Sequence, residues 1–176
     1  IHALNFAEDI EVFRQRKGPA VFTPHLGEFA NLIDTPVKEV LEDPLSYLKK
    51  FVDETNCALI LKGPCSFMGF PTGEIYLNYY PNDGMATAGS GDVLAGILGG
   101  MVAQYLPERQ ASGIFEDKEV MYRALCLGMM THTLAGRYAA KKHGRRPMVA
   151  TSIIEHFPEA FHEMETLAQR EAESEE

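Results

Sequence analysis

Basic residues are scarce in this chain: 16 Lys and Arg stand against 25 Asp and Glu over 176 residues, a formal net charge of −9. That balance argues against nucleic acid as a partner, because holding a phosphate backbone takes clustered Lys and Arg. A nucleotide remains open to it, since backbone N–H groups alone can hold a phosphate. Cysteine is short as well. Cys57, Cys65 and Cys126 are odd in number and form no CxxC pair, so no disulfide framework is expected and a reducing cytoplasm suits the chain. The histidines show no metal-ligand spacing, so no metal-binding residue is named. Also missing are an apolar run of about 18 residues and a signal peptide, so no membrane partner is expected. Linkers rich in Gly, Ser or Pro, internal repeats and low-complexity stretches are lacking too. What is present, 45% hydrophobic and 23% charged residues, is ordinary globular usage. A chain of this length typically buries roughly 70% of its unfolded surface, enough for one domain over residues 1–176.

The chain opens on Ile1 inside a helical pattern carried by Ala3, Leu4, Phe6, Ile10 and Phe13. A processed or truncated product is therefore expected, with a helix over 3–16 closed by Gly18-Pro19. Ala20-Val21-Phe22 reads as a short buried strand and Cys57–Leu61 as a parallel strand covered on both faces. Between them, His25 leads into one short helix. Thr35-Pro36 opens a second, with Thr as N-cap. Asp43-Pro44 starts a third with Leu45, Leu48, Phe51 and Val52 on one face. Ser66–Phe70 and Glu74–Asn78 flank Pro71-Thr72-Gly73 as a β-hairpin. A glycine-rich turn, Asn82 to Gly91, feeds a helix, and residues 117–142 form another. Thr151-Ser152 caps a last helical stretch interrupted at Pro158, and the acidic tail 171–176 is expected to fray. Alternation of this kind predicts a three-layer α/β/α domain with a mostly parallel sheet and one hairpin.

Three motifs sit where such a sheet holds ligands, at strand ends and helix starts. In Gly89-Ser90-Gly91-Asp92 the glycines allow close backbone approach, and the first helical turn offers N–H groups and a positive dipole end to an anion. Asp92 is placed to take a proton from a hydroxyl attacking a phosphoryl group, or else is a plain helix-start charge. The spacing is neither the P-loop nor the dinucleotide fingerprint. In Thr23-Pro24-His25-Leu26-Gly27-Glu28, His25 suits hydrogen bonding to a substrate, and Glu28 suits a metal or a water; a simple helix start explains both equally well. In Lys62-Gly63-Pro64-Cys65-Ser66, Lys62 and Ser66 suit a phosphate, or the segment is a charged strand end and a turn. His132, on the apolar face of a long helix, reads as a packing histidine.

Taken in this order, the three motifs closely resemble those of the ADP/ATP-dependent NAD(P)H-hydrate dehydratases, a family of the ribokinase-like superfamily. The resemblance runs over residues 3–157 and rests above all on Asn82-Asp83-Gly84-Met85-Ala86-Thr87-Ala88-Gly89-Ser90-Gly91-Asp92-Val93-Leu94-Ala95-Gly96. Ala3-Leu4-Asn5 is similar to the end of another family segment, and His132 to Ala150 to its closing helices. Ser66 and Ser90 stand at positions usually occupied by Thr and keep the hydroxyl. The resemblance implies repair of hydrated NADH or NADPH (NAD(P)HX): ADP or ATP phosphorylates the ring hydroxyl, phosphate leaves, and the reduced cofactor returns. It implies that His25 and Asp92, with Glu28 beside them, contact the hydrated cofactor. Lys62, Gly63, Pro64, Cys65, Ser66, Gly89, Ser90 and Gly91 would take the adenine nucleotide, with Mg²⁺ bridging its phosphates. A homo-oligomer is implied as well. Because family domains carry further N-terminal strands, the chain is expected to be a C-terminal part. Two other readings fit the glycine-rich turn: a ribokinase-like kinase of a vitamin precursor, and a catalytically silent nucleotide-binding module.

Overall fold

A computed structural model describes residues 11–112 and 117–174. Residues 3–10 of the expected first helix, Ala3-Leu4-Asn5 among them, lie outside the described residues, as do 175 and 176 of the tail. The chain divides into two compact units, Ile1–Tyr79 and Tyr80–Glu176.

The first unit is α/β. In chain order it runs α1 (Glu11–Arg14), β1 (Val21–Phe22), α2 (Leu26–Leu32), α3 (Val37–Glu42), α4 (Pro44–Thr55), β2 (Ala58–Leu61), β3 (Ser66–Gly69) and β4 (Ile75–Asn78). The sheet order is β1-β2-β3-β4. β1 pairs parallel to β2, with Val21 opposite Ala58, while β2–β3 and β3–β4 are antiparallel. The described sheet is thus less parallel than the sequence suggested. A connection as short as 62–65 has no room for the crossover a parallel pair needs, so β3 must run back along β2. The hairpin forms in the expected place: Gly69 faces Ile75, and the turn is closed by Phe70 N–H to Glu74 O and Gly73 N–H to Phe70 O. All four residues of β2 are buried, as a strand covered on both faces should be. Val21 and Phe22 of β1 are only half-buried, because β1 lies at one edge of the described sheet. The core gathers Phe13, Phe29, Val40, Leu48, Phe51, Val52 and Leu59. Phe51 meets Phe22 and Phe29 edge to face, each at 5.6 Å between ring centroids.

Two details of the helix starts differ from expectation. Thr35 does not cap α3; its hydroxyl donates to the Ile33 carbonyl, and Pro36 stands at the cap without a side-chain bond. On α4, Asp43 caps as its sequence suggests, accepting from Ser46 N–H, but Leu45 is exposed and Thr55 is buried instead. The Thr55 hydroxyl donates to the Phe51 carbonyl, which makes its burial tolerable. Asn56, in the left-handed region at φ 54°, ends this helix.

The second unit is helical: a 3₁₀ turn over Asp83–Met85, then α5 (Ser90–Ser112), α6 (Asp117–His143), α7 (Ala150–Ile154) and α8 (Phe157–Ser174). α5 and α6 pack closely where Gly128 faces Leu98; a Cβ on Gly128 would lie 3.0 Å from the Leu98 side chain. Leu134, Ala135, Ala139, Met148, Ile153 and Ala160 form a hydrophobic cluster in this unit, joined by Met85 and Val93. Val149, not Thr151, caps α7, and the Ser152 hydroxyl accepts from its N–H. The break before α8 falls at Glu155-His156, with Pro158 inside the first turn of α8, where proline is tolerated. Residues 171–174 of the acidic stretch are helical. Among the described residues, no helix is long and apolar enough to cross a membrane.

Candidate active site

In the first unit, the side chains of His25, Glu28 and Lys62 meet at the carboxyl ends of β1 and β2. His25 and Lys62 pair as an isolated parallel bridge, and Lys62 N–H donates to the Pro24 carbonyl at 2.8 Å. The bridge extends the β1–β2 ladder beyond the strands and holds both motifs side by side. His25 then starts α2. Its Nδ1 accepts from Glu28 N–H at 3.1 Å, and Glu28 Oε2 accepts from His25 N–H at 2.7 Å, the reciprocal bonding of a capping box. With Nδ1 accepting, the ring proton sits on Nε2, which points to Glu28 Oε1 at 3.5 Å. Lys62 Nζ lies 4.0 Å from Glu28 Oε2, with both side chains about a quarter exposed. Glu28 is therefore committed to His25 and Lys62 rather than free to bind a metal, while the His25 imidazole is 60% exposed and open to a ligand.

The turn after Lys62 is tight. A Cβ on Gly63 would lie 3.0 Å from the Cys65 carbonyl oxygen. Gly63 and Pro64 are exposed and Cys65 is half-buried. Ser66, read from sequence as a phosphate donor, is only 6% exposed at the start of β3. It stands opposite Asn78, within the sheet.

In the second unit, the glycine-rich turn is held by its own polar groups. Asn82 Nδ2 donates to the Gly136 carbonyl on α6 at 3.0 Å, and Asn82 Oδ1 accepts from Gly84 N–H. Arg145 reaches back to Asp83 at 3.2 Å. Gly84 is glycine for want of space: a Cβ there would lie 2.8 Å from the Arg145 carbonyl oxygen and 2.7 Å from Met148 Sδ. Gly89 adopts φ +86°, the left-handed conformation that turns the chain into α5. Ser90 N–H bonds Thr87 O and Val93 N–H bonds Gly89 O. The N–H groups of Gly91 and Asp92 are thus left as first-turn donors without a backbone partner among the described residues, at the positive end of a helix of 23 residues. The Asp92 side chain is exposed there, with no hydrogen bond or ion pair to another described residue. Chemically, this half offers anion-binding donors beside a carboxylate able to accept a proton.

His132 had a role the sequence only half revealed. It is 6% exposed, and its Nε2 lies 3.1 Å from the Ser90 carbonyl oxygen, so it braces the start of α5 from α6. Periodicity placed it on a buried face; nothing in the sequence named Ser90 as its partner. A cavity of about 560 Å³ lined by Tyr80, Asn82, Arg137, Lys141, Arg145 and Glu163 was likewise not legible.

Comparison with known proteins gives these halves a context. The chain is 37% identical over 164 residues to the bifunctional NAD(P)H-hydrate repair enzyme Nnr of Moorella thermoacetica, covering 93% of this chain and 28% of that protein. It resembles the crystal structure of the ADP/ATP-dependent NAD(P)H-hydrate dehydratase of Bacillus subtilis co-crystallized with ATP/Mg²⁺. There the TM-score is 0.71 and the identity 26%, over 85% of this chain and 49% of that one. A ribokinase-like superfamily protein of Enterococcus faecalis matches with TM-score 0.64 and 27% identity, over 88% of this chain and 50% of the other. The chain therefore spans about half the length of these solved structures and under a third of the Moorella relative. The family described as NAD(P)H-hydrate dehydratase matches residues 2–159. With that match running through all three motifs, this α/β chain belongs to the NAD(P)H-hydrate dehydratase family and has the ribokinase-like fold of its solved relatives.

Proposed function

We propose that the protein acts in the ADP- or ATP-dependent dehydration of hydrated NADH or NADPH. The observation that carries this reading is the start of α5, where Gly89 turns the chain, Gly91 and Asp92 offer N–H groups, and the Asp92 carboxylate stands exposed beside them. Gly89 and Ser90 shape the turn and the free N–H groups of Gly91 and Asp92 hold the transferring phosphoryl group, an electrostatic arrangement already in place before reaction. Asp92 accepts the proton of the ring hydroxyl as that oxygen attacks phosphorus and the bond to the departing nucleotide breaks. The ring nitrogen lone pair then expels phosphate, a ring carbon loses a proton, and the reduced cofactor is restored. In the first unit, His25 offers its exposed imidazole to the hydrated cofactor, with Glu28 orienting it. Lys62, with Gly63, Pro64, Cys65 and Ser66, serves the nucleotide; buried Ser66 does so through its backbone placement.

Mg²⁺ suits this donor set. It prefers oxygen, keeps several waters and is usually held by one or two carboxylates plus substrate phosphates, and Asp92 is an exposed carboxylate without a competing partner among the described residues. When bound, the ion neutralises charge on the phosphates. The reading places the enzyme in the cytoplasm as a homo-oligomer.

The test is incubation with hydrated NADH, ADP or ATP, and Mg²⁺, following the absorbance of reduced nicotinamide. Recovery that depends on nucleotide supports the proposal. A phosphorylated vitamin precursor accumulating instead would make the protein a kinase. Nucleotide binding without turnover of any substrate would make it a silent binding module.

A further inference from the structure

Three ligand-bearing side chains outside the motifs converge at the far end of α6. His143 is the last residue of that helix, and Glu155 and His156 connect α7 to α8. One nitrogen of each imidazole and one carboxylate oxygen of Glu155 all lie within 4.8 Å of one another. The two rings meet edge to face with centroids 5.6 Å apart. His156 is 2% exposed, and its Nδ1 lies 2.9 Å from the Ser152 carbonyl oxygen. A carbonyl can only accept, so Nδ1 carries a proton, the lone pair of the neutral ring lies on Nε2, and the ring plane is fixed. Metal-bound histidines are oriented by just such an outer hydrogen bond. Packing alone accounts for a buried His156 with a satisfied Nδ1. It does not account for a second imidazole brought to the same ring from the end of α6, with the neighbouring Glu155 carboxylate converging on both.

We propose that His143, Glu155 and His156 bind a divalent transition metal of the zinc type. Two imidazoles and a carboxylate are a borderline donor set that suits such an ion, with water as the fourth ligand. Bonds of about 2.0–2.2 Å need the donors closer together than they stand. His143 and Glu155 are both exposed and free to rotate inward, while His156 is held in place. Mg²⁺, which prefers an all-oxygen shell, is a poor fit, so this site is distinct from the ion that accompanies nucleotide phosphates. The metal would close the strap between His143 and His156. Arg145 and Met148 of that strap press on Gly84 of the glycine-rich turn, so the clip stiffens the backing of that turn.

The experiment is a zinc titration of chelator-stripped protein against a chromophoric competitor, with thermal melts alongside. His143→Ala, Glu155→Gln and, as a control histidine on α8, His162→Ala are compared, each checked for folding by circular dichroism. One equivalent should bind per chain, and Zn²⁺ at a hundredfold excess over its Kd should raise Tm by about 5–10 °C. His143→Ala should weaken binding by more than about 100-fold, beyond the usual cost of losing an outer-shell partner. Glu155→Gln should weaken it too, and His162→Ala should leave it intact. Failure of native protein to bind an equivalent, equal binding by His143→Ala, equal loss in His162→Ala, or the same stabilisation by Mg²⁺ would each overturn the site.

Discussion

Asp43 and Asp92 each stand at the start of a helix, one bonded to Ser46 and the other exposed with no partner among the described residues. Their substitutions should therefore read out differently. Asp92→Asn keeps size and hydrogen-bonding capacity but cannot accept a proton, so turnover of hydrated NADH should fall about 10²–10⁴-fold. Nucleotide affinity should change far less, because the phosphate donors are backbone groups. A variant that binds ADP and turns over at the parent rate would return Asp92 to a plain helix-start charge. Asp43 instead bears on stability. Its hydrogen bonds with Ser46 hold its carboxyl below the ordinary value of 3.8. A depressed folded pKa contributes stability above the unfolded value and loses it as pH falls through the folded one. Asp43→Asn keeps an acceptor oxygen without the charge. Its urea midpoint should therefore lie below the parent's at neutral pH, and the gap should close as pH falls below 3.8.

On the scale of elements, two glycines of the second unit separate close approach from mere helix cost. Gly84→Ala forces a Cβ against the Arg145 carbonyl, a backbone atom that cannot swing aside. Overpacking of that kind typically costs about 1–3 kcal/mol, so the denaturation midpoint should drop. Gly99 lies inside α5 with nothing within 4 Å of an added Cβ. Gly99→Ala should stabilise by about 0.5–1 kcal/mol, since glycine in a helix interior loses more backbone freedom on folding than alanine. Equal midpoint shifts in the two variants would refute the contrast.

For the whole molecule, the edge strand β4 connects the fold to self-association. Ile75, Tyr76 and Leu77 are 42%, 47% and 54% exposed on a strand with a partner on one side only among the described strands. Unpaired backbone groups on an edge with exposed apolar side chains invite pairing between chains, and a lysine on the edge discourages it. For the proposed homo-oligomer, Leu77→Lys should lower the mass seen in sedimentation without changing the circular dichroism. Nucleotide binding is the second readout at this scale. A ligand at a hundredfold excess over its Kd stabilises the native state by about 2.7 kcal/mol, so ADP or ATP should raise Tm measurably.

Local chemistry made much of this protein legible in its sequence. Pro71-Thr72-Gly73 announces a hairpin because glycine tolerates the φ of +92° found at Gly73. Asp43-Pro44 announces a capped helix, the continuous apolar run of β2 a buried strand, and Gly89-Ser90-Gly91-Asp92 the turn into α5. The order of the three motifs pointed to the family. Tertiary structure decided what depends on residues far apart in the chain. It brought Lys62 to Glu28, set His132 against Ser90, and buried Ser66 in the hairpin. It also brought His143 to Glu155 and His156, where spacing along the sequence had suggested no ligand set. The reason is physical: a turn or a cap is made by a few neighbouring residues, whereas a side chain's distant partner is chosen by how whole helices and strands pack.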